Sequence, residues 1–539
     1  MNTAAPIQRG GLAAPTLPTP PTSIPWLGLV AVLMGTFIST LNGRLSSFGL
    51  ADIRGAVGAG FDEGAWITTA QTTAQMFVTL IAVWMGAVFG PRRVLIWSSV
   101  AFAVISLLTP YSATLPMLLT MQFLGGLASG FFIPLTLSFI LLNTPPRYWA
   151  FGIALYALNL ELSLNISASL EGWYVEHHSW RWIFWQNVPL ALAMTMCLRF
   201  LPGAKLNTVR PPADVFGLLA GGSGMALIYA ALDQGNRLDW LNSGLVWGLL
   251  LAGAVLMVAF FVHEVTTPRP LLNLNVVFGA PIPSQFVLIS FLRLTILATS
   301  YLIPLYLGSV RGYRDLEVGD ALLWIAAPQL IFCPLAGLML RRSDPRLISS
   351  IGFIFVSIAC LMVAYNLTPL WGSTQFLPSA LLQALGQSFA LSGVIFFGVL
   401  HLRPQDALTF GAVLQTARLM GGEIGTAFVA TLARVREQVA SNLIGLHLQL
   451  GDPQVMQRIG AYGRATTHNA DPGSAMHRGE LVLASVVRAA ATTQAVIDGF
   501  VVVALLTAVA LVIVVTRSAA PHGPASAAPL FPVRGPQRP

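Results

Sequence analysis

The residues of this sequence that could do chemistry are charged side chains inside long apolar runs. A charge in such a run is costly unless it faces a cavity or a partner, which makes each one a functional candidate. The candidates are three acids and three arginines: Glu161, Glu171, Glu423, Arg44, Arg293 and Arg418. Uptake of a proton removes the charge of a carboxyl group, and with it the cost of burying that charge. The acids are therefore candidate proton carriers, and the arginines are candidate ion-pair partners or substrate-binding groups.

The run at 149–173 has the most informative pattern. Its polar side chains recur at intervals of four residues, which places them in two stripes on a helix. The stripes are Glu161, Asn165 and Ser169 on one side, and Asn159, Ser163, Ser167 and Glu171 on the other. They lie about 200° apart, so we expect protein on two sides of this helix. Glu161, near the centre, is the first candidate proton carrier, with a structural carboxyl as the alternative; Glu171, near the outer end, is favoured as a structural partner.

The remaining charges suggest two further groups. Arg44 has a depth similar to that of Glu171, so these two could pair. Arg293, and Arg418 with Glu423, form a second group in the later half of the chain. Arg418 and Glu423 are five residues apart and do not stack on one helix face, so each should meet a different neighbour. Structural pairing is favoured for Arg418, while substrate binding and pairing stay open for Arg293 and Glu423.

Amide side chains in several runs are candidates to line a polar cavity. They are Asn42, Gln122, Gln375, Gln383 and Gln387. Glycines at a spacing of four, Gly126 with Gly130 and Gly421 with Gly425, are predicted to let helices approach each other closely in lipid.

The elements that must position these residues are apolar segments long enough to cross a membrane. The 539 residues are 55% hydrophobic and 9% charged, whereas soluble domains carry roughly 25% charged residues. Fourteen runs are close to or above the ~20 residues that a membrane-spanning helix needs, and none shows the alternation of barrel strands. They lie at about 26–49, 65–89, 94–112, 115–142, 149–173, 182–201, 215–232, 243–263, 283–307, 319–340, 347–366, 374–400, 407–433 and 493–516. We predict an all-α integral membrane protein with fourteen transmembrane helices.

Arginines are concentrated in the loops that face the cytoplasm if both termini lie there, Arg92 and Arg93 among them. This asymmetry predicts cytoplasmic termini. It also accounts for the net charge of +8 without nucleic acid. The Pro-rich and Ala-rich ends at 1–25 and 517–539 are predicted to be disordered cytoplasmic tails, and 434–492 is predicted to be a long outer loop.

Individual residues argue against several classes of function. The one lysine, Lys205, does not stand in the Gly-Lys-Ser/Thr context of a nucleotide-binding loop, so ATP-driven pumping is not expected. Cys197, Cys333 and Cys360 lie far apart in apolar runs and suggest neither a disulfide framework nor a zinc site. No spacing of a nucleophile and a base indicates an enzyme, and we expect no metal and no cofactor.

Five stretches of the sequence resemble one family when they are taken in order. They are FISTLNGRLSSFGLADIRGAVG, LIAVWMGAVFGPRRVLIWSSVAFAVISLL, MLLTMQFLGGLASGFFIPL, LEGWYVEHHSWRWIFWQNVPLAL and LQTARLMGGEIGTAFVATL. This pattern resembles the fourteen-helix drug:proton antiporters of the major facilitator superfamily, of the EmrB/QacA type. The resemblance puts Arg92 and Arg93 in the basic region of the family's gating loop and Arg418 at the family's arginine position.

The chain also departs from that family. Asn42 stands where the first helix usually has an acid, and Glu423 stands where a small residue is common. Glu161 and Glu171 are additional acids. Either the proton pathway is rebuilt around these acids, or coupling to protons is altered or lost.

The resemblance implies two six-helix bundles, at 26–201 and 283–516, with two inserted helices at 202–282. It implies proton-coupled export of small amphipathic organic compounds across the inner membrane by alternating access, with the proton gradient as the energy source. It further implies a periplasmic adaptor protein and an outer-membrane channel as partners. The loop at 434–492 is then the candidate place of contact, and a surface excursion without a partner is the equal alternative. The alternatives are an uncoupled facilitator or an importer of an organic metabolite, and, more remotely, a membrane sensor or scaffold that transports nothing.

Overall fold

The computed structural model describes residues 25–201, 214–267, 278, 282–402, 406–448, 452–466 and 472–517. The predicted tails, apart from Pro25 and Arg517 at their edges, lie outside these residues. The described chain is almost entirely helical and contains no strand. The predicted all-α fold is therefore confirmed.

Fourteen helices of the described residues correspond to the predicted segments and follow one another in sequence. They are α1 (Trp26–Phe48), α2 (Trp66–Phe89), α3 (Pro91–Leu108), α4 (Leu115–Ser129, continued as Phe132–Asn143), α5 (Trp149–His177), α6 (Asn187–Arg199), α7 (Val215–Gly235), α8 (Gly244–Thr266), α9 (Ile282–Arg311), α10 (Asp315–Leu340), α11 (Pro345–Asn366), α12 (Leu377–Leu400), α13 (Ala407–Gly445) and α14 (Pro472–Val515). Short helices lie at Leu50–Ala56, Phe61–Gly64, Trp182–Trp185 and Pro453–Thr466. We use "outer side" for the side that holds 434–492 and "inner side" for the side of Arg92 and Arg93, following the orientation predicted from charge.

Twelve helices of the described chain are long and apolar enough to cross a membrane. The other two predicted segments correspond to α6, which has 13 residues, and to α13, which carries several charged residues. The structure thus describes a multi-pass membrane protein, and the count of fourteen spans stays a prediction. The segments predicted to end at 433 and to begin at 493 are too short, because α13 runs to Gly445 and α14 starts at Pro472.

Local sequence signals fix several helix ends. Gly90 joins α2 to α3 with φ 83°, a left-handed conformation that favours glycine. Pro91 then begins α3, where a missing N–H costs nothing. Asp344 accepts a hydrogen bond from the backbone N–H of Arg346 and so caps the start of α11.

Within each bundle, glycines bring helices to backbone distance. A Cβ built on Gly421 of α13 would lie 2.4 Å from Cα of Ser290 on α9. One built on Gly126 of α4 would lie 2.1 Å from the backbone oxygen of Gln71 on α2. The predicted close approach at the two glycine pairs is therefore confirmed, and such contacts fix the helices of one bundle against each other.

Between the bundles, α5 packs along α10, and α13 packs against α2 and α4. The second stripe of α5 is consistent with this position, because α5 also packs on α1 and so has protein on two sides. At the inner side, Gly411 of α13 abuts the backbone of Pro134 on α4, and Ser138 Oγ donates to the backbone oxygen of Ala407. The two bundles therefore touch at their inner ends.

The inserted helices pack beside the first bundle. Gly222 of α7 faces the backbone oxygen of Phe77 on α2, where an added Cβ would lie at 2.6 Å. Gly224 of α7 and Gly253 of α8 hold these two helices together.

The glycine contacts lead to a first prediction. Gly421→Ala should destabilise the protein by about 1–3 kcal/mol, because the methyl group would overlap the backbone of α9, which cannot shift cheaply. Thermal unfolding of purified protein in detergent measures this as a lower apparent melting temperature.

Gly308→Ala in α9 is the matched control, because no atom lies within 4 Å of its added Cβ. Alanine favours a helix over glycine, so this variant should unfold at the same temperature as the wild type or above it. Equal melting temperatures for the two variants would contradict close packing at Gly421.

Candidate functional site

A polar cavity of about 180 Å³ lies in the middle of the molecule, with walls from both bundles and from α7. Hydroxyl groups from α1 and α2 and charged groups from four helices line it. The lining residues that the site argument uses are Ser39, Thr40, Arg44, Thr68, Thr72, Tyr229, Asp233, Arg293, Arg418 and Glu423. The cavity therefore gathers all three arginines predicted from the sequence.

The centre of the site is an ion pair between the two bundles. Arg293 Nη1 on α9 donates to Glu161 Oε1 on α5 over 2.9 Å. The exposed fractions are 2% for Arg293 and 0% for Glu161. Glu161 Oε2 and Arg293 Nε have no hydrogen-bond partner within the described chain, so each group depends on the other. Of the two interpretations left open for Arg293, the structure shows pairing.

The polar stripe of α5 continues beyond this pair. Asn165 Nδ2 donates to the backbone oxygen of Glu161 and approaches Gln329 Oε1 on α10. Gln329 Nε2 donates in turn to Gln387 Oε1 on α12 over 3.1 Å. Amides therefore link α5, α10 and α12 beside the ion pair.

The other two cavity arginines have no acidic partner in the described residues. Arg418 is buried and donates from Nε to Gln415 Oε1 on its own helix over 3.1 Å. Arg44 lies over the ring of Phe48, 5.2 Å from its centroid, and its Nε has no hydrogen-bond partner. The structural ion pair favoured for Arg418 is not seen; its guanidinium lines the cavity.

The inserted helix α7 contributes two groups to the cavity that sequence reasoning missed. Tyr229 Oη donates to Glu423 Oε2 on α13 over 2.8 Å. Asp233 accepts from Gln234 Nε2 over 3.0 Å and from the hydroxyl of Thr69 on α2. Asp233 was overlooked because it directly follows the predicted segment 215–232, and Tyr229 because one tyrosine in an apolar run is ordinary.

Glu171 lies away from the cavity and does not meet Arg44. It is buried beside Gly49, and neither of its carboxylate oxygens has a partner within the described chain. The suggested Arg44–Glu171 pair is therefore wrong. Glu171 meets α1 at its end, five residues beyond Arg44, and five residues turn a helix by about 140°.

The predicted amides do not line this cavity. Asn42 accepts from Asn187 on α6 over 2.7 Å, and Gln122 approaches Ser46 on α1, so both link helices inside the first bundle. Gln375 lies in an outer turn, where it accepts from the backbone N–H of Gly372. Gln383 is buried in α12, and neither of its polar atoms has a hydrogen-bond partner within the described chain. Gln375 is exposed, whereas the buried amides fill packing positions that their sequence context does not distinguish from a cavity wall.

Arg92 and Arg93 begin α3 at the inner side. Arg92 donates from Nε to the backbone oxygen of Leu198 over 2.8 Å and from Nη2 to that of Arg199 over 3.0 Å. It therefore caps the last turn of α6, where a cation is favoured. Arg93 is exposed, and the gating role of both stays a prediction.

This arrangement can bind a proton or a polar ligand between the two helical bundles. Its acids come from α5, α7 and α13, and its arginines come from α1, α9 and α13. Most of its hydroxyl groups belong to α1 and α2. The described residues contain no group of three His, Cys, Asp or Glu that could hold a metal ion.

Comparisons with known proteins agree with this geometry. The family model of the Major Facilitator Superfamily matches residues 32–426. The "Multidrug export protein EmrB" of Escherichia coli (strain K12) is 26% identical over 417 residues, which cover 76% of this chain and 80% of that protein. The "Probable multidrug resistance protein EmrY" of the same strain is 26% identical over 427 residues, 77% of this chain and 81% of that protein.

A solved structure has the same fold. The human organic anion transporter MFSD10 (TETRAN) aligns with a TM-score of 0.57 at 12% identity, covering 91% of this chain and 98% of that one. The family match over most of the chain, together with the shared helical fold, shows that this chain belongs to the major facilitator superfamily of membrane transporters.

Proposed function

We propose that this protein exports small amphipathic organic compounds from the cytoplasm in exchange for protons, by alternating access to the central cavity. Relatives named as multidrug export proteins support export and a small organic substrate. In this proposal the proton gradient is the energy source, the inner membrane is the location, and both termini are cytoplasmic.

The observation that carries the proposal is the Glu161–Arg293 pair. It joins α5 of the first bundle to α9 of the second at 2.9 Å, inside protein and beside the cavity. A buried pair of this kind is strongly disturbed when one partner loses its charge. A proton on Glu161 therefore changes the energy of one arrangement of the bundles relative to another, which is what coupling requires.

The proposed cycle uses this change of charge. Glu161 takes up a proton when the cavity is open to the outer side, and the neutral carboxyl no longer holds Arg293 as an ion pair. The bundles then rearrange, and the cavity opens to the cytoplasm. Substrate that binds there favours release of the proton, so the carboxylate and its pair with Arg293 are restored as the substrate is carried outward.

The size of the cavity agrees with a closed or nearly closed state. Sites for drug-sized ligands enclose about 300–1,000 Å³, whereas this cavity encloses about 180 Å³. The inner ends of the bundles also touch at Gly411 and Pro134. A substrate therefore needs the bundles to move apart, and the apolar side chains of Leu164, Leu297 and Leu419 in the cavity wall suit its apolar part.

The proposal predicts the effect of Glu161→Gln. The amide keeps the shape of the side chain but cannot change its charge, so proton-driven transport should be lost while the fold is kept. The measurement is substrate-triggered proton movement in reconstituted vesicles under an imposed pH gradient, with amphipathic cations, anions and neutral compounds as test substrates.

Glu176→Gln is the matched control, because Glu176 is an exposed acid near the end of the same helix. It should transport like the wild type. Normal proton-coupled flux in Glu161→Gln would contradict the assignment. Substrate movement with no proton movement in the wild type would instead indicate an uncoupled facilitator.

The Glu161–Arg293 pair also leads to a prediction about the stability of the fold. Arg293→Met leaves the Glu161 carboxylate buried without its partner, and losing one member of a buried ion pair costs about 3–5 kcal/mol. We expect the double variant Glu161→Gln with Arg293→Met to unfold at a higher temperature than Arg293→Met alone. Thermal unfolding of the four proteins in this cycle gives the coupling between the two residues. Additive effects would show that the pair contributes nothing to stability.

We also propose that 434–492 contacts a periplasmic adaptor protein, as the resemblance to the EmrB type implies. The described parts of this segment are helical: α13 and α14 extend outward, and Pro453–Thr466 packs on the start of α14 with Gly479 against the backbone of Ile459. Such a packed layer offers a surface of fixed shape to a partner.

Deletion of 445–480 tests this contact. It removes the added layer and leaves the packed parts of α13 and α14 to be joined. Efflux across both membranes of intact cells should fall, while substrate transport by the purified variant in vesicles should stay as in the wild type. Unchanged efflux from cells would argue against an adaptor at this site.

A further inference from the structure

The inserted helix α7 stands between the outer ends of α2 and α13. On one side, Asp233 accepts from Thr69 of α2, and Arg237 binds Asp62 just before α2 over 2.8 Å. On the other side, Tyr229 donates to Glu423 of α13. Because α2 and α13 belong to different bundles, α7 links the two bundles at their outer ends.

The two contacts of α7 differ in kind. Its contact with α2 includes backbone approach at Gly222 and side-chain packing of Gly221 against Leu80. Its contact with α13 is made by side chains, with hydrogen bonds from Tyr229 to Glu423 and between Asn236 and Thr431. Close backbone packing is hard to break, whereas side-chain bonds can be exchanged. We therefore take α7 to move with the first bundle.

We use "outer gate" for the contact between α7 and α13 at the outer side. Two carboxylates lie on opposite sides of this gate. Asp233 on α7 and Glu423 on α13 line the same cavity. Neither forms an ion pair with an arginine in the described part of the chain: Arg293 is held by Glu161 and Arg237 by Asp62.

One carboxylate oxygen of Glu423, Oε1, is available to bind a proton. Its side chain is only 9% exposed, Tyr229 donates to Oε2, and no described group donates to Oε1. Two charged carboxylates in one small enclosed cavity repel each other, and a proton on one of them removes the repulsion.

Other charges face this pair and belong in the argument. The groups around the cavity are Arg44 of α1, Glu161 of α5, Tyr229 of α7, Arg293 of α9 and Arg418 of α13. The part of α2 that lines the cavity supplies threonine hydroxyls and Gln75. The arginines offset part of the negative charge. Arg418 lies on the same helix as Glu423 and moves with it, so opening of the gate changes the distance between the two acids and not this contribution. Asp233 and Glu423 do not move together, since one belongs to α7 and the other to α13.

We infer that Asp233 and Glu423 form a second proton-binding site, and that the outer gate between α7 and α13 closes when this site holds a proton. We use "outer acid pair" for these two residues. The inference rests on alternating access as proposed above. An outward-open cavity loads a proton from the outer side, the repulsion between the two carboxylates disappears, and α13 can approach α7. The inserted helix is then a part of the gate.

The test is the pH dependence of gate closure. Spin labels at Ala56→Cys and Gln438→Cys, two exposed sites at the outer ends of the two bundles, report their separation by electron–electron double resonance. Cys197, Cys333 and Cys360 are replaced by alanine in all variants. In the wild-type background, the ratio of open to closed molecules should rise by up to about tenfold per pH unit over the range in which the pair loses its proton.

Asp233→Asn and Glu423→Gln should each weaken this pH dependence, leaving only the part that depends on Glu161, and favour the closed gate at high pH. Both amides keep the ability to accept the hydrogen bonds seen in the structure. Tyr229→Phe should lower the closed fraction at every pH but keep the pH dependence, because the acid pair remains. Glu176→Gln, which removes an exposed acid near the outer end of α5, away from α7 and α13, should behave as the wild type.

The wild-type pH response in both Asp233→Asn and Glu423→Gln would overturn the inference. The same proteins are assayed for substrate-triggered proton flux in vesicles. Coupled flux that depends on Glu161, with a gate response unaffected at the outer acid pair, would refute this site and leave the proposed function intact. Absence of coupled flux in the wild type would refute the proposed function itself.

Discussion

The structure depends on how charge can be placed in a medium with little water. A buried guanidinium and a buried carboxylate are each costly without a partner of opposite charge, and their attraction offsets the lost hydration only when the geometry is good. Glu161 and Arg293 satisfy this condition from two different bundles. The stripe on α5, the packing of α5 along α10 and the position of α9 all serve to bring these two groups within hydrogen-bond distance. In the proposed cycle, this pair responds both to protons and to the relative position of the bundles.

The sequence predicts the scaffold well, because long apolar segments and small-residue spacings have few physical alternatives in lipid. It also predicts that Glu161 and Arg293 are buried functional candidates. It does not predict that they meet, because a helical pattern gives the face of a residue and not the neighbour across it. The Arg44–Glu171 pair failed for the same reason: the depths match, but the faces differ.

The role of α7 is also beyond sequence reasoning. Asp233 stands at the end of an apolar run, where acids are common and usually solvated, and Tyr229 has no distinguishing neighbour. Only the packing of α7 between α2 and α13 brings them to the cavity. Of the five amides predicted to line it, none does so. For Asn42, Gln122 and Gln387 the reason is that a buried amide that links two helices has the same sequence context as one that lines a cavity.

The continuous helices α13 and α14 have a mechanical consequence. With 39 and 44 residues, they are about 60 and 65 Å long at 1.5 Å per residue, roughly twice the ~30 Å thickness of the hydrocarbon layer. Each is thus a long, stiff helix whose inner part is packed inside the second bundle. A tilt of that bundle by a few degrees would displace the outer tips by several ångströms. A molecule bound to the tips would then respond to a change at the buried cavity, far from the substrate itself.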